Sequence, residues 1–558
     1  MSHGHHHHDD SNAADAVQSD ATNLAIPDDD LSPGALSRRQ MLRSAGLLGA
    51  GAAAASVLGG PMTAAARPTR QPSRGGYRWL AGDHHIHTQY SSDAMYRVID
   101  QVRHGRAYGL DWMVITDHGS ITHARIGVEK VNPDIRSARE ALPDTLVFQG
   151  LEWNIPGAEH ATVFVHPGPR EVNVLKQFEN GYDGAVKDAS SGTPANEALA
   201  IAGLNFLVDA VRAGRIKDAL FFANHPARRG VDSPHEIRAW RDAAPSIAVG
   251  FEGAPGHQAA GIPAPHGPGS GRGFYAGSPS ADSFPGYPLA SYRTWGGFDW
   301  MTSTVGGLWD SLLAEGKPWW ITANSDAHSV YLDTAVRGPN SDFEANGRYE
   351  DPVHGEVPVN GNGDFWPGYY SRTHVGARGT SYAHVMDGLR AGRVWVDHGN
   401  LITAIDVQAR RRGSSAGVPL GGVLRVRRGD EVELSIIIDP ATMPNWAQFL
   451  PSLARVDVIR GAVTGPVDDQ DAITAPDTSV VKSYDVAGLT DQIRLTYRLG
   501  RIDGPCYVRL RGTDGNRTAP GALGAEIDPA GPAMDVLGDA DPWLDLWFYT
   551  NPIWVLPR

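Results

Sequence analysis

The chain has 558 residues, 41% of them apolar and 20% charged, which is too hydrophobic and too evenly mixed for a disordered polymer. A net charge of −14 excludes a general nucleic-acid or anionic-membrane binder, and a single cysteine, Cys506, excludes a disulfide framework or a four-cysteine zinc site. Of the 22 histidines, five lie in the first eight residues, the others fall between His84 and His398, and none follows Leu401.

Residues 1–36 are polar, acidic and poor in aromatics, and are expected to be a disordered leader. Ser37-Arg38-Arg39-Gln40-Met41-Leu42 then precedes a mildly apolar Ala/Gly run from Ser44 to Gly60, and Ala64-Ala65-Ala66 gives a small-residue cleavage pattern. Paired arginines ahead of such a run resemble a twin-arginine export signal over 37–66, followed by a linker over 67–76. The run is too rich in Gly and Ala for a membrane span, and no other segment is long and apolar enough. The expectation is an exported protein, secreted or held at the cell envelope, with the twin-arginine translocation machinery as a partner and no stable membrane span.

From 77 to 400, short apolar runs alternate with amphipathic stretches. Trp112–Thr116, Leu146–Gln149, Ala161–Val165, Ala219–Ala223 and Trp319–Thr322 read as strands buried on both faces. Met95–Tyr108, Asn196–Ala213, Leu308–Glu315 and Tyr382–Ala391 read as helices between them. Such alternation predicts an α/β fold with parallel strands closed into a barrel. Two insertions interrupt it. Residues 254–288 hold 8 Gly and 7 Pro, and 337–372 are rich in Gly, Asn and Asp. Both are long enough to act as lids, and Phe274, Tyr275, Phe284 and Tyr287 are candidate ligand contacts. From 401 to 558 the pattern turns to period two, as in Val432-Glu433-Leu434-Ser435-Ile436, and predicts a C-terminal antiparallel β-sandwich.

Metal-binding residue types recur at the ends of the predicted strands. Asp83-His84-His85-Ile86-His87-Thr88 opens the series, and His85 and His87, two apart on a strand, would share a face. Thr116-Asp117-His118, Gly150-Leu151-Glu152, Asn224-His225-Pro226 and Ser325-Asp326-Ala327-His328 follow. Ligand-type residues at successive strand ends converge on one mouth of a barrel. A mixed His/carboxylate set suits Zn, Mn or Fe.

This ordered set resembles the PHP (polymerase and histidinol phosphatase) metallohydrolases over about residues 78–400. The resemblance implies a distorted (β/α)7 barrel binding two or three divalent metal ions. It implies His85, His87, Asp93, His118, Glu152, His225, Asp326 and His328 as ligands, with His160 the best match for the ninth and His166 its competitor. Asp83, His84 and Asp117 would orient the imidazoles from behind. His257 and eight other histidines match no motif and are expected on the surface or in the core. The amidohydrolases, which also begin with a His-x-His pair, are the rival family. The early Asp93, the Thr-Asp-His motif and the extra His328 favour the PHP resemblance.

Clustered divalent ions generate hydroxide near neutral pH, so no serine or cysteine nucleophile is required. Gly413-Ser414-Ser415-Ala416-Gly417 matches a nucleophile-elbow pattern but lacks its strand–turn–helix context. Arg228 and Arg229, just after Asn-His-Pro, are candidate catalytic cations for phosphoryl oxygens. The C-terminal β-rich segment resembles larger secreted PHP proteins, a group that includes carbamate hydrolases. The first expectation is a secreted phosphoesterase acting on a small-molecule ester. A carbamate or carboxyl-ester hydrolase with the same metal site is the alternative, and a non-catalytic wall- or glycan-binding protein is a third.

Overall fold

The structure, a computed structural model, describes residues 76–275 and 277–558. The leader, the twin-arginine segment and the linker up to residue 75 lie outside the described residues. Seven strands surround the site: β1 (Arg78–Asp83), β2 (Trp112–Ile115), β3 (Leu146–Asn154), β4 (His160–Val165), β5 (Ala219–Ala223), β6 (Ala248–Ala254) and β7 (Trp320–Ala323). Helices Val98–Ala107, Val128–Ala141, Glu171–Tyr182, Pro194–Arg212, Pro234–Ala243 and Leu308–Ala314 fall between them in sequence. After β7 come the short β8 (Ala335–Val336) and β9 (Val353–His354), then β10 (Ser371–Ala377), helix Tyr382–Arg390 and β11 (Val394–His398).

The protein is thus a mixed α/β chain built on one large sheet. Its order through this region is β11-β10-β1-β2-β3-β4-β5-β6-β7. Pairs β1–β2, β2–β3, β5–β6 and β6–β7 are parallel, as expected of strands buried on both faces. β4, expected to be parallel, runs antiparallel to β3 and β5. The physical reason is the five-residue link from Ile155 to Glu159, which is too short for a parallel crossover and permits only a hairpin. β6, unanticipated because two glycines interrupt its apolar run, needs one of them. A Cβ on Gly250 would lie 2.1 Å from the Trp320 carbonyl oxygen across the β6–β7 pair.

No backbone ladder joins β7 to β1 or β10. Side chains and one bridge make the connection instead. Thr373 of β10 donates to the Ala323 carbonyl at 2.6 Å and accepts from the Ala323 N–H at 2.8 Å. Just past the strand ends, Ile86 and Ala327 form a single parallel bridge. Phe148, Val163, Phe221, Phe251 and Ile321 are fully buried in the shared core, each contributing about 1.5–3 kcal/mol relative to exposure.

The C-terminal segment supplies β12 (Ile402–Arg411), β13 (Gly417–Val418), β14 (Val423–Val426), β15 (Glu431–Pro440), β16 (Arg455–Ala462), β17 (Thr478–Asp485), β18 (Ile493–Arg501), β19 (Cys506–Thr513), β20 (Thr518–Ala519), β21 (Gly531–Pro532), β22 (Trp547–Thr550) and β23 (Ile553–Pro557). β13-β12-β15-β18 form a separate four-stranded antiparallel sheet. β22 pairs with β11, so the large sheet continues through β22, β19, β23 and β14. Alternate residues Val432, Leu434, Ile436 and Ile438 bury against Val456, Val458, Val508 and Leu510 of the large sheet, which explains the period-two pattern. Between β15 and β16 the Asn445 side chain accepts from the Ala447 and Phe449 N–H groups. No helix among the described residues is long and apolar enough to cross a membrane.

Candidate metal centre

The strand ends, with the loop after β1 that carries Asp93, bring all nine expected residues to one place. His85 and His87 lie just after β1, not on it, and flank the bridging residue Ile86, which keeps the backbone extended and their rings on one side. His118 follows β2, Glu152 lies within β3, His225 follows β5, and Asp326 and His328 follow β7. The reversed direction of β4 decides between the two competing histidines. His160 begins β4 and therefore sits at the mouth with the others. His166 follows the far end, where its Nδ1 meets the Pro167 carbonyl and its ring lies 5.9 Å from Tyr382.

At the deepest point, His85 Nε2 and His87 Nε2 approach to 2.9 Å. Asp326 Oδ1 is 3.2 Å from the first and 3.1 Å from the second. Glu152 lies 3.2 Å from His85 Nε2 through Oε1 and 3.4 Å from His87 Nε2 through Oε2. Glu152 also reaches outward, to His118 Nδ1 at 2.8 Å, His160 Nδ1 at 3.1 Å and His225 Nε2 at 3.2 Å. Asp93, half-exposed at the rim, lies 3.1 Å from His118 Nε2 and 3.4 Å from His328 Nε2. The residues fall into overlapping groups able to hold an ion: His85, His87 and Asp326; His87, Asp93, His118 and His328; and His118, Glu152 and His160.

The donor set fits divalent ions. Glu152 Oε2 and Asp326 Oδ1 are buried and make no well-directed hydrogen bond although imidazole nitrogens crowd both, an expensive arrangement for a protein interior. Burial opposes a charge on His85, yet the carboxylates of Asp326, Glu152 and Glu252 hold its imidazole well above the usual histidine range. Burial and the imidazoles of His328 and His118 push His87 well below it. Against the cost of burial, surrounding imidazoles keep Glu152 and Asp326 ionised, well below the usual carboxylate range. A divalent cation at the point where these carboxylate oxygens and imidazole nitrogens converge would take the place of the imidazole protons and answer the same carboxylates.

The groups behind these residues differ from expectation. Asp83 accepts from the backbone N–H groups of His85 and Ser325 and so fixes main chain, whereas Asp117 accepts from the Thr88 backbone and hydroxyl and from the Ser91 hydroxyl, which in turn contacts His87 Nδ1. His84 Nε2 contacts Thr322 Oγ1, and its ring stacks on Phe222. The His85 ring is oriented by Glu252, 2.7 Å from its Nδ1, and the His87 ring by Ser91 Oγ at 2.8 Å. Glu252 obeys the same strand-end rule as the ligands, but the two glycines that break the apolar pattern of β6 hide it in the sequence.

A cavity of about 510 Å³ opens above the cluster. Arg228 lines it, bound to the buried Glu159 at 2.8 Å, whereas Arg229 is mostly exposed and does not line it. Burial raises the Glu159 pKa, but the Arg228 guanidinium and the His160 and His225 imidazoles bring it down to about 2. Of the four aromatic candidates only Phe274 faces the cavity. Tyr275 and Tyr287 are buried, donating to Asp299 and to the Asp232 carbonyl, and Phe284 packs on Tyr287. His257, expected on the surface or in the core away from the site, also lines the cavity, as does Asp364 of the second insertion. Its position after an unusual Gly-rich strand end was the available signal.

Residues 83–200 match the family model of the PHP domain. That stretch contains the first five ligand candidates and His160; His225, Asp326 and His328 lie beyond it. Among solved structures, the chain is similar to a two-domain protein from Bacteroides vulgatus ATCC 8482 containing a predicted PHP-like metal-dependent phosphoesterase, with 15% identity and a TM-score of 0.34 over 80% of this chain and 94% of that one. It is also similar to Endonuclease Q in complex with a 27-mer duplex bearing an abasic lesion, with 14% identity and a TM-score of 0.18 over 34% of this chain and 46% of the other. No curated protein matches the sequence.

Proposed function

We propose that the chain is a metal-dependent hydrolase of the PHP type, a phosphoesterase acting on small-molecule esters. The observation that carries this reading is the convergence of the buried Glu152 and Asp326 carboxylates on the paired Nε2 atoms of His85 and His87. The PHP-domain match over 83–200 supports the same reading. His85, His87, Glu152 and Asp326 would hold one ion, and His118, His160, His225, Asp93 and His328 would complete one or two further positions around the shared Glu152. Two or three bound ions of Zn, Mn or Fe supply activated water at neutral pH and draw charge from phosphoryl oxygens.

The remaining roles fall to the chain itself. Arg228 lines the cavity with a guanidinium anchored on one side by Glu159, which leaves its other nitrogens to bind a non-bridging oxygen. Glu252 and Ser91 fix the ring orientations of His85 and His87, so the nitrogens that face the cluster do not rotate away. In the overall reaction the water oxygen bonds to phosphorus, the ester P–O bond breaks, and the leaving oxygen takes up a proton. The large α/β sheet of β1–β7 is read as a distorted, side-chain-bridged barrel and the two C-terminal β layers as a sandwich. With the Arg38-Arg39 signal, the proposal is of an exported enzyme.

The test is a panel of phosphomonoesters, phosphodiesters, carbamates and carboxyl esters, assayed on metal-loaded protein. Phosphoester turnover inhibited by inorganic phosphate is the expected result. Turnover confined to carbamates or carboxyl esters would contradict the phosphoester assignment.

A further inference from the structure

Phe274 is the one large apolar side chain lining a cavity otherwise walled by charged and polar groups and glycine, among the described residues. It is 40% exposed. Its backbone has φ +56°, a left-handed conformation that a bulky side chain strongly disfavours. The same strain occurs at His225, His257 and Asp326, which line the same cavity. Strain of this kind persists where the surrounding structure enforces it, and it clusters at functional positions.

The ring is fixed, not loosely placed. It lies 4.8 Å from the His257 ring, inclined at 54°. On another side it meets Gly363, where an added Cβ would stand 2.4 Å from Phe274 Cζ. With glycine at 363 the backbone approaches the ring edge without displacing it. Arg228 lines the same cavity, so a cation for an anionic head and an aromatic surface for its organic tail share one chamber.

We infer that Phe274 is a stacking platform for a planar aromatic group of the substrate, which narrows the ester to one whose organic part carries an aryl or heteroaromatic ring near phosphorus. This rests on the phosphoesterase reading above. Aromatic surfaces prefer aromatic partners in offset or edge geometry, and such contacts change affinity by about tenfold.

The test measures binding by calorimetry of two non-hydrolysable probes, benzylphosphonate and methylphosphonate, to metal-loaded full-length protein. The wild-type chain should bind the benzyl probe about tenfold more tightly. Phe274→Leu, which keeps apolar bulk but has no aromatic face, should erase most of that preference, and Phe274→Tyr should retain it. A preference preserved in Phe274→Leu, or absent from the wild type, overturns the inference while phosphonate binding leaves the phosphoesterase reading standing. Failure of the wild-type protein to bind either phosphonate contradicts both.

Discussion

His257 Nε2 lies 2.7 Å from Asp326 Oδ2, the carboxylate oxygen that faces away from His85 and His87. The other ring nitrogen of His257 lies 2.5 Å from Asp364 Oδ1, and Asp364 Oδ2 accepts from the His328 and Ser329 N–H groups. Burial opposes a charge on His257, but the Asp326 and Asp364 carboxylates hold its pKa up at about 10. Both insertions are therefore tied to a candidate metal ligand through one charged imidazole.

Removing this tether should loosen metal binding. His257→Gln and Asp364→Asn are each expected to lower metal affinity by about 10- to 100-fold, the usual effect of deleting a group that orients a ligand. Competition with a coloured chelator reads this directly. Affinities equal to that of the wild type would show that His257 packs beside Asp326 without positioning it.

Gly256 provides a second route to the same ligand. A Cβ there would lie 2.2 Å from the Asp326 Cβ and 2.3 Å from the Ser325 carbonyl oxygen. The backbone cannot yield without moving Asp326. Gly256→Ala should lower stability by about 1–3 kcal/mol and reduce bound metal per chain. A variant with wild-type metal content would contradict the close approach.

How much of this was legible beforehand depends on the kind of signal. His85, His118, Glu152, His225 and Asp326 could be read in order because each follows or ends an apolar run, and strand ends meet in space. The direction of β4 was hidden, since a buried strand has the same apolar pattern whichever way it runs; only the five-residue link to β3 held the information. That direction in turn puts His160, and not His166, beside Glu152. His257 and Asp364 carry no such signal because they come from insertions whose path no periodicity encodes, and for the same reason the sequence offers Phe274 only as one of four aromatic candidates.

The link between β7 and β10 yields a stability prediction. Thr373 Oγ1 satisfies both the N–H and the carbonyl of Ala323. Thr373→Val keeps the shape and strands both groups, at a cost of about 1–3 kcal/mol for each unpaired buried group. Chemical denaturation should show this loss with an unchanged slope; an unaltered midpoint would mean that water or another side chain takes over.

His104 should make stability depend on acidity. Burial lowers its pKa to about 4, and its ring stacks on Trp366 at 3.7 Å. The unfolded imidazole takes a proton near pH 6.5 that the folded one refuses until about 4. Its contribution is therefore present above about pH 6.5 and is lost as pH falls toward 4. His104→Phe keeps the stacked ring and removes the titration. The Tm of the wild type relative to this variant should fall between pH 7 and 5; parallel curves would contradict the assignment.

The central claim is that the His/carboxylate cluster holds the ions on which hydrolysis depends. Elemental analysis of the purified protein, paired with phosphoester turnover before and after exhaustive chelation, tests it most directly. At least two transition-metal ions per chain are expected, with loss of turnover on chelation, recovery on adding Zn, Mn or Fe back, and neither metal nor turnover in His85→Ala. Metal-free protein that retains full activity would contradict it.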